Sequence, residues 1–227
     1  MNIEVVDVAK STQDLVKERL LAGEDGPIVV MARDQIEGRG RFGREWLSAP
    51  GDSLTMSMSL PEWDDSQKPW LIGMMFACAA AGALNLRLRW PNDLSINRRK
   101  VGGILTEIVE VNGRRKAVLG VGVNLNQESL PEEISEFATS IRMERDKITA
   151  PETAAANIIA RLETMPKPTS WTEIAPIWSL FDETPGKRYK LPTGEEALAI
   201  AVGPEGELIC SVDGETRSVM AADALLG

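Results

Sequence analysis

Residues 53–60 alternate strictly, with Leu54, Met56, Met58 and Leu60 apolar and Ser53, Thr55, Ser57 and Ser59 small and polar. A period of two puts each set on its own side, so this segment predicts a strand with one buried face. Ile3 to Val8 reads as a shorter strand before it, and the compact run Pro27 to Ala32 as a buried one. Between those two, Leu15, Val16, Leu20 and Leu21 make a helical stripe. Ser11 and Asp14 resemble a capping box at its start, and Gly23 ends it. Trp70 to Leu84 is almost wholly apolar and predicts a helix buried on most sides, and Leu86, Leu88 and Trp90 then alternate with arginines as a strand. Gly103 to Val111 and Lys116 to Leu125 read as two hairpin arms across Asn112-Gly113, a type I′ turn pair. Pro151 to Met165 and Trp171 to Phe181 read as helices.

The pattern changes near Thr184-Pro185-Gly186. Short strands follow, punctuated at Thr193-Gly194, Pro204-Glu205-Gly206 and Asp213-Gly214, which predicts a small β-barrel of about 40 residues. Strands and helices do not alternate as βαβ units, so an α+β fold on a mixed, largely antiparallel sheet is expected. The expected domains are 1–183 and 184–227. There are no internal repeats or low-complexity tracts.

Composition narrows the chemistry more than the fold. Of 227 residues, 43% are hydrophobic and 26% charged, as in ordinary globular proteins, and no stretch is apolar enough for a membrane span. The first residues lack the layout of a signal peptide. Cys78 and Cys210 are far apart in the chain, which argues against a disulfide framework or zinc site and fits a reducing cytoplasm. A formal net charge of −9 argues against nucleic acid as a partner. With no histidine at all, Ser-His-Asp triads, Cys-His dyads and His-ligated metals are excluded. Any chemistry must rest on Lys, Arg, carboxylates, amides or backbone.

Three segments carry such groups. Gly38 to Arg44 matches G-x-G-x-x-G, but Ala49-Pro50-Gly51 follows and then a strand, so no helix opens on the loop and the dinucleotide fingerprint fails. No Gly-Lys-Ser/Thr makes it a Walker loop. Glycines that let backbone approach a ligand, interleaved with Arg39, Arg41 and Arg44, suit carboxylate and phosphate oxygens; a solvated surface loop is the alternative. Next, Pro91 stops a strand and leaves Asn92 and Asp93 at its mouth, with Lys100 and Gly102-Gly103 after them. Asn-Asp is alternatively only a turn. Third, Gly120 and Gly122 interrupt an apolar strand that ends at Asn124.

Taken together, the chain resembles the biotin protein ligases. The matching segments are Ser11-Thr12-Gln13, Gln35, Gly38 to Arg44 with Trp46, Trp90 to Asp93, Lys100 with Gly103-Ile104-Leu105, and Gly120 to Asn126, echoed by Ala138 to Ile141. The resemblance implies a class II aminoacyl-tRNA synthetase-like catalytic domain and a C-terminal SH3-like barrel. It also implies ATP-dependent activation of biotin to biotinyl-5′-AMP, then transfer to a lysine of a biotin carboxyl carrier domain. Ser11, Thr12, Gln13, Gln35, Gly38, Arg39, Gly40, Arg41, Lys100, Gly103 and Leu105 are then the expected biotin contacts. Arg41, Arg44, Trp46, Arg89, Asn92, Asp93, Lys100 and Asn124 are expected at the ATP and adenylate, with Trp46 on the adenine. Lys100 and Arg41 are the expected catalytic residues. Mg²⁺ is expected to arrive with ATP rather than in a protein cage.

Two departures stand out. Arg89 replaces the lysine usual before Trp-Pro-Asn-Asp, and Lys10 to Gln13 replaces Asp-Ser-Thr-Asn. The chain starts just before this motif, so the DNA-binding domain and repressor role of some members are not expected. A lipoate or octanoate ligase of the same fold is the alternative. The oligomeric state stays open, a homodimer included.

Overall fold

The structure, a computed structural model, describes residues 1–63, 68–191 and 193–220. Its centre is a seven-stranded sheet built from β1 (Glu4–Ala9), β2 (Ile28–Gln35), β3 (Ser53–Ser59), β4 (Arg87–Arg89), β5 (Asp93–Ile96), β6 (Arg99–Val111) and β7 (Arg114–Asn124). The spatial order is β1-β2-β3-β7-β6-β5-β4, and only the β1–β2 pair is parallel. This is the expected mixed, largely antiparallel sheet. The β6–β7 hairpin turns on Asn112 (φ 52°) and Gly113 (φ 75°), both left-handed as a type I′ turn requires.

Helices cover both faces. On one side, α2 (Pro69–Leu84), α5 (Pro151–Leu162) and α6 (Trp171–Ser179) bury Val29, Met31, Leu54, Met56, Leu119, Val121 and Val123. The neighbouring residues of those strands, Ile28, Val30 and Val118, point the opposite way and meet Val16 and Leu20 of α1 (Thr12–Leu21). Two short helices, α3 (Glu132–Ser135) and α4 (Ile141–Arg145), follow β7.

This double cover corrects one expectation. Strand β3 is buried at all seven positions rather than on one face. Its polar side lies beneath α1, where Thr55 Oγ1 donates to Ala32 O (2.9 Å) and the Ser57 hydroxyl meets Thr12 Oγ1 (2.7 Å). Hydroxyls satisfied in this way tolerate burial.

The second correction concerns the C-terminal strands β8 (Arg188–Lys190), β9 (Glu196–Val202), β10 (Leu208–Val212) and β11 (Glu215–Val219). They form an antiparallel sheet of order β11-β10-β9-β8. Among the described residues β8 and β11 do not pair, so the sheet is open rather than a closed barrel. Its apolar face, with Tyr189, Leu191, Ala197, Leu208 and Cys210, is covered instead by Trp90 from the end of β4. An indole from the larger sheet thus replaces the edge closure a barrel would supply. Residues 221–227 of the expected second domain lie outside the described residues.

Candidate active site

The Gly-Arg segment folds back on itself as a small hairpin. Trp46 N donates to Gly38 O (2.9 Å), Gly40 N donates to Arg44 O (2.7 Å), and Arg39 and Glu45 face each other. Phe42 at its tip takes φ 58° and stacks under the Arg41 guanidinium. The hairpin roofs a cavity of about 570 Å³ on the α1 side of the sheet. Glycines form part of the floor. A Cβ on Gly122 would stand 2.6 Å from the Trp46 ring, and one on Gly120 would stand 3.1 Å from the Gln13 side chain. These bare positions therefore decide where the indole and the amide sit.

At one end lie the hydroxyls and amides of α1 and β2. Ser11 occupies the N-cap position in extended conformation (φ −151°, ψ 131°) but makes no side-chain cap bond. The expected capping box is absent, because the Asp14 carboxylate is taken by Arg39 through Nη1–Oδ2 (2.8 Å) and Nη2–Oδ1 (2.5 Å). A charge-assisted double bond of this kind outweighs a neutral cap. That bond holds the Asp14 carboxyl below the usual carboxylate range. Gln35 Oε1 accepts from Thr12 N (2.9 Å) and Thr12 Oγ1 (3.1 Å). Gln13 Nε2 donates to Glu107 Oε2 (2.9 Å), and a carboxylate only accepts, so the amide orientation is settled. Gln13 Oε1 is then a buried acceptor without a partner in the protein.

The other end is cationic. Lys100 Nζ lies 2.6 Å from Asp93 Oδ1, and Arg89 Nη2 lies 3.7 Å from Asp93 Oδ2. Arg89 also donates to Arg98 O (2.9 Å). Both Asp93 and Arg89 are buried, standing behind Lys100. The Lys100 backbone is held by a parallel bridge to Ala138, with Lys100 N to Phe137 O at 2.8 Å and Thr139 N to Lys100 O at 2.7 Å. That gives the Ala138 to Ile141 echo a physical purpose. Burial pushes the Arg41 guanidinium below its usual range while Asp93 opposes the shift. Gly120 and Gly122 share one face of β7, one two-residue step apart, about 7 Å. The amide end and the Trp46–Lys100 end are therefore next to each other.

The profile of the biotin/lipoate A/B protein ligase family matches residues 5–124, just over half of the chain. The chain belongs to this ligase family. Within it, the chain is 37% identical over 146 residues to a bifunctional ligase/repressor BirA of Bacillus spizizenii, covering 60% of this chain and 44% of the relative. It therefore spans less than half the length of that relative. It is 28% identical over 250 residues to a biotin–[acetyl-CoA-carboxylase] ligase of Mycobacterium tuberculosis, covering 98% and 88%. A biotin protein ligase from Aquifex aeolicus, solved in complex with biotin and ATP, superposes with a TM-score of 0.76 at 25% identity over 100% of this chain and 98% of that one.

Most of the residues expected at the site of a biotin/lipoate ligase line the cavity. Ser11, Thr12, Gln13 and Gln35 form the amide end; Arg39, Gly40, Arg41, Arg44 and Trp46 the roof; Asn92, Lys100, Gly103, Leu105 and Asn124 the remaining wall. Gly38, Arg89 and Asp93 are outside the lining. Gly38 sits under the Trp46 backbone, where a Cβ would come 2.6 Å from Trp46 O. The Asn124 amide bonds Thr139 O (3.1 Å), so it ties two wall segments together. Sequence reasoning missed Asp14, Glu107 and the exposed rim of Phe42, Leu47 and Phe137. It also missed Lys187, whose Nζ lies 5.4 Å from the centre of the Tyr189 ring. Burial and the nearby Arg89 charge lower its pKa to about 8. No periodicity or motif marks Glu107, Leu47, Phe137 or Lys187, while Asp14 reads only as part of a helix cap and Phe42 only as a spacer in the Gly-Arg segment.

Proposed function

We propose that this chain joins biotin to ATP, forming biotinyl-5′-AMP and pyrophosphate, and then passes the biotinyl group to a lysine of a biotin carboxyl carrier domain. The observation that carries this reading is Gln13 Oε1, an oriented, buried acceptor at the amide end of the cavity. Leaving such an atom unpaired costs about 1–3 kcal/mol, so the ligand should bring an N–H donor there. The ureido ring of biotin has two. The dithiolane ring of lipoate has none, which separates biotin from the other acids this fold accepts. The relatives named as biotin ligases, and the biotin and ATP complex of the Aquifex enzyme, support the same choice.

The activating step brings a carboxylate against an α-phosphate. Two unit charges about 4 Å apart in an effective dielectric near 20 repel by roughly 4 kcal/mol. Lys100 and Arg41 supply the opposing charge between the two ends, and Asp93 holds the Lys100 ammonium in place. Trp46 offers its face to the adenine, and Arg44 and Asn92 face the phosphates and ribose. The carboxylate oxygen bonds to the α-phosphorus as pyrophosphate leaves, and the acceptor lysine later displaces AMP at the acyl carbon. Among the described residues no cluster of three acidic, Cys or His side chains could hold a metal. Mg²⁺ would enter with the triphosphate and offset its charge, with Asn92 of the cavity wall among the groups that would face it. No helix of the described residues is long and apolar enough to cross a membrane, and both cysteines are buried free thiols, which suits the cytoplasm. We also assign 1–183 and 184–227 as the two domains.

Pyrophosphate exchange into ATP, measured with biotin and with lipoate, tests the reading. Exchange with biotin alone is expected; exchange with lipoate alone would overturn it.

A further inference from the structure

We propose that Asp14 is a positioning residue that sets how long the Gly38–Trp46 hairpin stays closed over the cavity, acting through its paired bonds to Arg39. The inference deepens the ligase reading and rests on it for the identity of the trapped ligand. Two of the hairpin's backbone bonds, Trp46 to Gly38 and Gly40 to Arg44, are internal and travel with it when it lifts. The Arg39–Asp14 pair is different. It runs from the hairpin to the first turn of α1, which is fixed to the sheet through Val16 and Leu20. Opening the roof at its root separates these two charges.

The pair has no substitute close by. The other carboxylates acting on Arg39 are already engaged, Glu107 by Lys17 at 2.9 Å and Gln13 at 2.9 Å, and Glu37 by Lys10 at 3.0 Å. The pairing also assigns Arg39 a duty distinct from that of Arg41. The Arg39 guanidinium is turned to α1, so it fastens the roof while Arg41 faces the reacting groups. Both side chains of the pair remain over one-third exposed, 36% for Arg39 and 39% for Asp14, so the fastening is breakable and salt-sensitive. A ligand closed in for the second reaction needs a roof that holds yet can open.

The test uses the full chain with radiolabelled biotinyl-5′-AMP, read as release into an unlabelled chase. Asp14→Asn should speed release about three- to ten-fold, as expected for loss of one partly exposed, doubly bonded ion pair. Asp14→Glu, which keeps the charge, should restore most of the retention. Raising salt should speed release from the unaltered protein and leave Asp14→Asn nearly unchanged, a response that a purely structural defect would not give. Hydrogen exchange of amides 38–46 in the ligand-free chain gives a second reading, faster in Asp14→Asn. Release, salt response and exchange all matching the unaltered protein would overturn the proposal. Failure of the unaltered chain to bind biotinyl-5′-AMP would instead remove the ligase reading, and the exchange measurement would still decide the fastening.

Discussion

The Trp90–Asp93 turn and the Gly38–Trp46 hairpin both carry cavity groups, yet they are held in opposite ways. The turn is bolted from several sides. Trp90 N donates to Thr184 Oγ1 (2.9 Å), Trp90 Nε1 donates to Gly206 O (2.8 Å), and Tyr189 Oη donates to Trp90 O (2.8 Å). The Trp90 ring is 1% exposed, whereas Phe42 at the hairpin tip is 58% exposed. The difference separates two tasks that the motifs alone do not distinguish. On the proposed function, one element would keep Lys100 and Asp93 in register for chemistry, and the other would control entry and exit.

The comparison can be broken most directly at Trp90. Trp90→Ala should cost about 3–5 kcal/mol of stability in urea unfolding, as for other buried tryptophans. A loss below about 1 kcal/mol would show the turn to be no better anchored than the hairpin. Next, Lys100→Ala should slow biotin-dependent pyrophosphate exchange by about 10²- to 10³-fold, the usual cost of removing one aligned donor. Melting should fall only modestly, since Arg89 stays beside Asp93 when the Lys100 ammonium is lost; near-normal exchange would place the reacting groups elsewhere. The smallest effect is expected at Lys187, beside the turn. Its pKa in the folded protein, about 8, lies below the usual 10.5 because burial and Arg89 disfavour the ammonium. Between those values the unfolded chain binds more protons, so stability from this group rises with pH. Lys187→Met should therefore raise the melting temperature slightly at pH 7, with the gain shrinking from pH 8 towards 10.5. A gain that grows with pH would reverse the assigned cause.

What could be read from the sequence was what local chemistry decides. Asn112-Gly113 demands a tight hairpin, and the apolar run of α2 demands burial, whatever surrounds them. The cavity lining was legible where spacing concentrates unusual residues, as around Lys100 and Arg41. Strand β5 was not, because Asp93 and Ser95 look like turn residues until Lys100, Arg89 and Glu183 satisfy them in the interior. The burial of both faces of β3 depends on where α1 lands. The Asp14–Arg39 pair joins residues 25 apart, a distance no periodicity reports. The open C-terminal sheet likewise depends on Trp90, a residue outside it.

Since Trp90 completes the core of β8–β11 while its backbone leads directly into Asn92 and Asp93, the domain boundary proposed near residue 184 would be a seam in topology and not in cooperativity. Residues 184–220 are therefore a poor candidate for exchange as a module between relatives. A graft whose pocket does not fit this indole would disturb the cationic end of the cavity without touching one of its residues.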